Sequence, residues 1–184
     1  MLTILPLFHG FGLGICVHSI LKIGLTCILV PAFTTDMFIS TIKSKKPRFI
    51  AGVPSMYLGL LANKKAATVD YSFLKGAFCG GDSVKVQLKE RFNEFMKEHG
   101  GMVTLREGYG LTETVPAATI VPEDSDRLHS VGLPFPDLDA KVVAQDSIDE
   151  VPVGTQGEVC FRGGASILGH PTSPEGTNKS LKTH

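Results

Sequence analysis

Residues 75–106, KGAFCGGDSVKVQLKERFNEFMKEHGGMVTLR, decide the fold class of this 184-residue chain. A short apolar run at 75–79 predicts a strand, and the two glycines after it predict a turn. A helical pattern follows and gives way at 103–106 to another apolar run, which predicts a second strand. Strand, helix and strand in this order are typical of a parallel sheet whose faces are covered by helices.

The helix of this unit is predicted to be strongly amphipathic. Ser83 is placed to cap its first turn, and Gly100 is placed to end it. The side predicted to be buried carries an apolar stripe, Leu88, Phe92, Phe95 and Met96. The side predicted to face water carries charges, Lys85, Lys89, Glu90, Glu94 and Lys97.

The same rhythm extends upstream to the first residue. The predicted strands lie at residues 2–5, 26–30 and 48–53. The predicted helices lie at 13–21, from Thr35 or Asp36 onward, and from Pro54 onward. In such folds ligands bind beyond the carboxyl ends of the strands, so we expect the functional residues in the glycine-rich turns there.

The pattern changes after residue 116, where apolar runs become short, alternate with polar residues and are joined by Pro, Gly and Asp. These runs predict a small β-rich, barrel-like subdomain with strands at 117–121, 139–144 and 158–162. The tail is polar and has no apolar face. The predicted divisions are therefore an α/β subdomain at 1–116, a β-rich subdomain at 117–170 and a truncated tail at 171–184.

Composition and charge argue against several functional classes. Eighteen basic residues balance eighteen acidic ones, so no net positive field favours nucleic acid as a partner. Residues 11–30 are apolar, but His18, Lys22 and three glycines interrupt them and Gly10 precedes them, which favours a buried helix and strand over a transmembrane segment. The four cysteines contain no C-x-x-C pair and are expected to be reduced thiols in a cytoplasmic protein.

Several common motifs are missing from the sequence. GFGLG at residues 10–14 is not G-x-G-x-x-G, because Ile15 stands where the third glycine would be. The chain also contains no G-K-[ST] phosphate loop, no G-x-S-x-G and no H-E-x-x-H. Dinucleotide binding, P-loop chemistry, serine hydrolysis and zinc hydrolysis therefore lose their main support.

Three motifs remain, and they are more specific together than alone: LPLFHGFG at residues 5–12, GGD at 80–82 and EGYGLTE at 107–113. With them the sequence resembles the adenylate-forming, AMP-binding superfamily, which comprises acyl- and aryl-CoA synthetases, firefly luciferase and the adenylation domains of nonribosomal peptide synthetases. Within it, the chain is most similar to bacterial long-chain fatty-acid CoA ligases. The resemblance covers nearly the whole chain and includes GEV at 157–159.

The resemblance implies an ATP-dependent ligase that activates a fatty acid as acyl-adenylate and transfers it to coenzyme A. Fatty acid, ATP, coenzyme A and the remainder of the ligase chain are the implied partners, and Mg²⁺ is the implied metal. The family's lysine-bearing phosphate loop, ribose-binding aspartate and C-terminal domain with its catalytic lysine have no counterpart in these residues. We therefore interpret the chain as a fragment of a larger domain and expect the isolated fragment to be inactive.

The resemblance also implies roles for single residues. Tyr109 would stack on adenine, Thr112 would donate to the α-phosphate, and Glu113 would bind Mg²⁺. His9 would lie beside the substrate carboxylate, which makes Thr112, Glu113 and His9 the implied catalytic group. The implied cofactor-binding residues around ATP or AMP are Gly80, Gly81, Asp82, Glu107, Gly108, Tyr109, Gly110 and Thr112.

Simpler interpretations stand beside these roles. Gly80 and Gly81 also suit an ordinary strand-to-helix turn capped by Asp82 or Ser83, and His9 also suits a core histidine bonded to a carbonyl. For the whole chain, the alternatives are a fragment of an aryl-CoA or acyl-carrier-protein ligase and a noncatalytic nucleotide-binding remnant.

Overall fold

The computed structural model describes residues 1–125 and 127–181, which form a seven-stranded mixed sheet, helices on it and a separate two-stranded sheet. The strands of the large sheet are β1 (Leu2–Thr3), β2 (Ile28–Leu29), β3 (Phe49–Gly52), β4 (Gly76–Cys79), β5 (Leu105–Tyr109), β6 (Thr119–Ile120) and β7 (Leu133–Pro134). Their order is β2-β1-β3-β4-β5-β6-β7. All pairings from β2 to β5 are parallel, which confirms the predicted α/β class.

The helices follow the strand-helix-strand rhythm of the sequence. They are a π-helix (Phe11–Ser19) that continues into α1 (Ile20–Lys22), then α2 (Thr35–Lys45), α3 (Pro54–Ala62), α4 (Val86–Glu98) and α5 (Pro174–Ser180). Thr34, one residue before the predicted caps, caps α2, because its hydroxyl accepts the Met37 N–H. Among the described residues, no helix is both long and apolar enough to cross a membrane.

The main core lies between the sheet and helices α2, α3 and α4. Tyr57 of α3 and Phe92 of α4 are fully buried and pack edge to face, with ring centroids 5.3 Å apart. The Tyr57 hydroxyl donates to the Phe78 carbonyl of β4 at 2.6 Å. Burying a large apolar side chain stabilises a fold by about 1.5–3 kcal/mol, so these contacts fix α3 and α4 to the strand that leads into the GGD turn.

Helix α4 differs from its prediction in two ways. It begins at Val86 instead of after Ser83, because Val84 is buried and the chain is still extended at Lys85. Lys89, predicted to face water, is only 9% exposed. Its ammonium group pairs with the Glu107 carboxylate of β5, a partner in another element that helical periodicity does not reveal.

The β-rich part is divided between two sheets. Strands β6 and β7 extend the large sheet, because Gly108 and Tyr109 pair antiparallel with Ile120 and Thr119. The separate antiparallel sheet consists of β8 (Leu138–Val143) and β9 (Glu158–Gly163). The predicted subdomain boundaries remain predictions. In the tail, Ser173 caps α5 by accepting the Gly176 N–H, and residues 182–184 lie outside the described residues.

Candidate functional site

Two of the three motifs meet where neighbouring parallel strands end. Cys79, the last residue of β4, pairs with Glu107 of β5, so Gly80 and Gly108 lie side by side just beyond this pair. A Cβ atom on Gly80 would stand 2.8 Å from the Gly108 carbonyl oxygen, closer than side chains tolerate. The two chain segments can approach this closely only because residue 80 is glycine.

The motif at residues 5–12 reaches the same place from the π-helix. The Phe11 ring lies 3.7 Å from where a Cβ on Gly80 would stand and 4.0 Å from the corresponding point on Gly81. Gly10 packs against Pro116, whose Cβ lies 3.0 Å from the point where a Cβ on Gly10 would stand. Three motifs that are far apart in sequence therefore come together at one edge of the parallel sheet, as predicted from the strand order.

Tyr109 offers an aromatic surface at this edge. Tyr109 is 37% exposed, and its ring centroid lies 6.3 Å from that of Phe161 in β9. Both rings line a cavity of about 430 Å³. The N–H of Ala118 donates to the Tyr109 carbonyl at 2.8 Å and fixes the backbone there. The position of Phe161 beside Tyr109 could not be predicted, because alternation in a strand does not identify the partner of that strand.

A tight turn follows Tyr109 and directs its polar residues outward. Residues Thr112–Thr114 form one 3₁₀ turn in which Thr114 is buried and Thr112 is exposed. The Thr114 hydroxyl oxygen accepts the Leu111 N–H at 3.1 Å, which closes the turn. Gly110 lies directly against the Pro116 carbonyl, where a side chain would not fit. The buried threonine thus stabilises the turn, while the exposed hydroxyl of Thr112 is available to a ligand.

Glu113 lines a larger cavity of about 930 Å³. Its side chain is 31% exposed, and its carboxylate lies 3.7 Å from Nε2 of His170, a neighbour that the motifs did not indicate. Its carbonyl oxygen accepts the Ile167 N–H at 2.9 Å. Among the described residues, no three His, Cys, Asp or Glu side chains cluster to form a metal site. A magnesium ion bound by one carboxylate, nucleotide phosphates and waters nevertheless fits Glu113, because Mg²⁺ usually binds in this way.

Asp82 and Glu107, the two acidic residues predicted to bind the cofactor, already have hydrogen-bond or ion-pair partners within the protein. The Asp82 side chain accepts the Ser83 N–H at 2.7 Å and is exposed. The Glu107 side chain is 13% exposed and pairs with Lys89, with 2.5 Å between Nζ and Oε2. The predicted cofactor roles of both residues remain predictions.

His9 is exposed at the beginning of the π-helix. Its Nδ1 accepts the N–H of Phe11 at 3.1 Å, so the proton of the neutral ring lies on Nε2. That nitrogen can donate a hydrogen bond to a ligand without a fixed positive charge.

Cys79 lies directly before the GGD turn but is not suited to thiolate chemistry. The residue is fully buried, and burial raises the pKa of its thiol to about 12. Glu107 adds to this effect through its negative charge. At neutral pH the thiol therefore keeps its proton and acts as a small apolar side chain.

Comparison with known proteins identifies the family of the chain. The family described as "AMP-binding enzyme" matches residues 1–169. A long-chain-fatty-acid–CoA ligase of Escherichia coli O6:H1 is 33% identical over 187 residues, covering 99% of this chain and 32% of that protein. A probable 4-coumarate–CoA ligase 3 of Dictyostelium discoideum is 28% identical, covering 98% of this chain and 32% of its own length.

Solved structures show the same fold. A long-chain-fatty-acid-CoA ligase from Archaeoglobus fulgidus superposes with a TM-score of 0.87 at 24% identity, covering 97% of this chain and 37% of that one. An anthranilate CoA ligase in complex with anthranoyl-AMP gives a TM-score of 0.85 at 24% identity, covering 94% and 33%. The chain spans about a third of the length of the curated relatives described above. Because the family match extends over 169 of its 184 residues, the chain belongs to the AMP-binding enzyme family.

Proposed function

We propose that this chain is part of an ATP-dependent acid–thiol ligase that activates a fatty acid as acyl-adenylate and transfers it to coenzyme A. The observation that carries the proposal is the convergence of residues 9–14, 80–82 and 107–113 at one edge of the parallel sheet. Family membership supports the reaction class. The names of the relatives include long-chain-fatty-acid, 4-coumarate and luciferin enzymes, so family membership alone does not specify the acid. The fatty acid is the most specific part of the proposal.

The proposed reaction has two steps. A carboxylate oxygen of the acid attacks the α-phosphorus of ATP, and the new O–P bond forms as the bond to pyrophosphate breaks. The thiol of coenzyme A then loses its proton to solvent, its sulfur attacks the acyl carbon, and AMP leaves with the bonding electrons. The first step brings two anions together, so it needs donors and cations around the phosphates.

Adenine binding is assigned to Tyr109 and the GGD turn. The half-exposed ring of Tyr109 offers a flat surface for a base, which contributes about 1–3 kcal/mol in proteins that stack bases on aromatic residues. Gly80 and Gly81 border the same edge with backbone alone, so a planar base can approach closely.

A location in the cytoplasm, where ATP and coenzyme A are supplied, is part of the proposal.

The polar residues of the turn are assigned to the reacting groups. The exposed Thr112 hydroxyl donates to an α-phosphate oxygen, and Glu113 binds the metal. Magnesium, when bound, neutralises charge on the phosphate oxygens. Nε2 of His9 donates to the substrate carboxylate and orients it for attack.

An aryl acid is the second candidate substrate, because the relatives include 4-coumarate–CoA ligases. The test is thioester formation by the full-length protein, measured by mass spectrometry with ATP, Mg²⁺, coenzyme A and either fatty acids of increasing length or 4-coumarate and benzoate. We expect a higher kcat/KM for fatty acids. A preference for the aryl acids would contradict the fatty-acid assignment, and binding of ATP without any thioester would favour a noncatalytic nucleotide-binding protein.

A further inference from the structure

Helix α4 and strand β5 are joined by an ion pair that lies almost out of contact with water. The ammonium nitrogen of Lys89 lies 2.5 Å from Oε2 of Glu107, and the two side chains are 11% and 13% exposed. Two surface ion pairs, Lys65 with Asp36 and Arg162 with Asp139, have side chains that are more than half exposed. Lys89 and Glu107 are therefore a different kind of contact from these surface pairs.

A lysine is an unfavourable choice at this position unless it has a partner. Lys89 is the fourth residue of α4, near the end of the helix where the backbone dipole disfavours a positive charge. Burial adds the loss of water from the ammonium group. The Glu107 carboxylate offsets both costs. Buried pairs of this kind often contribute little net stability, and in some proteins they specify one arrangement of the chain.

The arrangement fixed here is that of residues 107–113, the segment that carries the EGYGLTE motif. Glu107 precedes Tyr109 by two residues in β5, so both side chains project from the same face of the strand. The backbone of Glu107 is also held on both sides: it pairs with Cys79, and its carbonyl accepts the Val121 N–H at 2.8 Å. The ion pair adds a third, directional restraint, which connects β5 to the helix that follows the GGD turn.

We propose that Lys89 is a positioning residue for nucleotide binding, acting through Glu107. The Lys89 ammonium group holds the Glu107 carboxylate against α4, where it neutralises the negative charge and keeps it away from a bound polyphosphate. The ion pair also fixes the end of β5 that carries Tyr109. This role rests on the proposed function, because it presumes that ATP binds at Tyr109.

The test compares three forms of the full-length protein: the parent, the double variant Lys89→Met/Glu107→Leu, and the control Lys97→Met at the exposed far end of α4. The double variant removes both charges together, so no unpaired charge is left buried and the protein is expected to fold. Melting temperature, KM for ATP and KM for the acid are measured for each. The single variant Lys89→Met is added to show the effect of leaving Glu107 unpaired.

We expect the double variant to melt close to the parent while its KM for ATP rises about tenfold, because the end of β5 that carries Tyr109 is no longer held in place, with the KM for the acid unchanged. The control should match the parent in all three measurements. A folded double variant with the parent's KM for ATP would overturn the positioning role and leave a purely structural pair. A parent protein that does not bind ATP would instead overturn the proposed function.

Discussion

The Gly108 carbonyl oxygen lies 2.8 Å from the point where a Cβ on Gly80 would stand. This approach joins the turn after β4 to the end of β5, the two segments that carry the GGD and EGYGLTE motifs. Gly80 is buried and its φ is not positive, so the requirement for glycine comes from space and not from backbone conformation. The distance between the two motifs, and with it the width of the candidate adenine site, depends on the absence of one methyl group.

Gly80→Ala should therefore be costly in the full-length protein. The added methyl would push apart two backbones that cannot rotate away, and overpacking of this kind destabilises by about 1–3 kcal/mol. Thermal melting checks this, with Gly164→Ala as the control because nothing lies within 4 Å of a Cβ there. A lower melting temperature for Gly80→Ala alone, with a higher KM for ATP, is expected. Equal melting of both variants would contradict the close approach.

Tyr109→Ala should raise the KM for ATP by about tenfold, since a stacked base gains about 1–3 kcal/mol from an aromatic ring. Tyr109→Phe keeps the ring and is the matched control, with a KM close to that of the parent. Both variants should melt near the parent, because Tyr109 is 37% exposed. If Tyr109→Phe is as damaging as Tyr109→Ala, the hydroxyl and not the ring is the functional group.

Glu113→Gln should raise the Mg²⁺ concentration needed for half-maximal adenylation by about tenfold and lower kcat, because an amide is a poor ligand for Mg²⁺. The size and shape of the side chain are preserved, so the melting temperature should change little. Glu123→Gln, on the exposed segment after β6, is the control for loss of one negative charge. Magnesium titrations that coincide for parent and Glu113→Gln would rule out Glu113 as a metal ligand.

The cysteines should differ in their reactivity with iodoacetamide at pH 8. Burial raises the pKa of Cys16 and of Cys79 to about 12, so at this pH almost none of either thiol is the reactive thiolate. Cys27 and Cys160 are only partly buried and should be labelled first. Peptide mass spectrometry after timed quenching gives the order. Early labelling of Cys79 would show that the end of β4 opens in solution.

Much of the sheet could be predicted from the sequence, because buried parallel strands leave apolar runs separated by helical patterns. Residues 75–79 and 103–106 are predicted as strands of a parallel sheet, and β4 and β5 pair in parallel. The placing of the GGD and EGYGLTE motifs at one edge follows from that order alone.

The features that the sequence could not provide are contacts between distant segments. Lys89 was predicted to face water because helical periodicity places it among charged residues, whereas its partner Glu107 lies in another element. Phe161 lies beside Tyr109, and His170 lies beside Glu113. Neither contact could be predicted, because the local pattern around Phe161 or His170 does not reveal its distant partner.

The hydrogen-bonding pattern within the first helix was also not predicted. Residues 13–21 showed helical periodicity, but the segment Phe11–Ser19 forms a π-helix, whose repeat differs too little from an α-helix to be recognised in nine residues. At the beginning of this π-helix, Gly12 lies directly against the Pro6 carbonyl, a close approach that a side chain would prevent.

Acid-dependent exchange of labelled pyrophosphate into ATP tests the central claim most directly, because it reports formation of the acyl-adenylate without coenzyme A. The full-length protein is assayed with ATP, Mg²⁺ and a fatty acid, beside Thr112→Ala and the matched Thr112→Ser. We predict exchange only when the acid is present, retained in Thr112→Ser and lowered by about tenfold or more in Thr112→Ala, as expected for loss of a donor to the reacting phosphate. No exchange with any carboxylic acid, or exchange that Thr112→Ala leaves unchanged, would contradict the account.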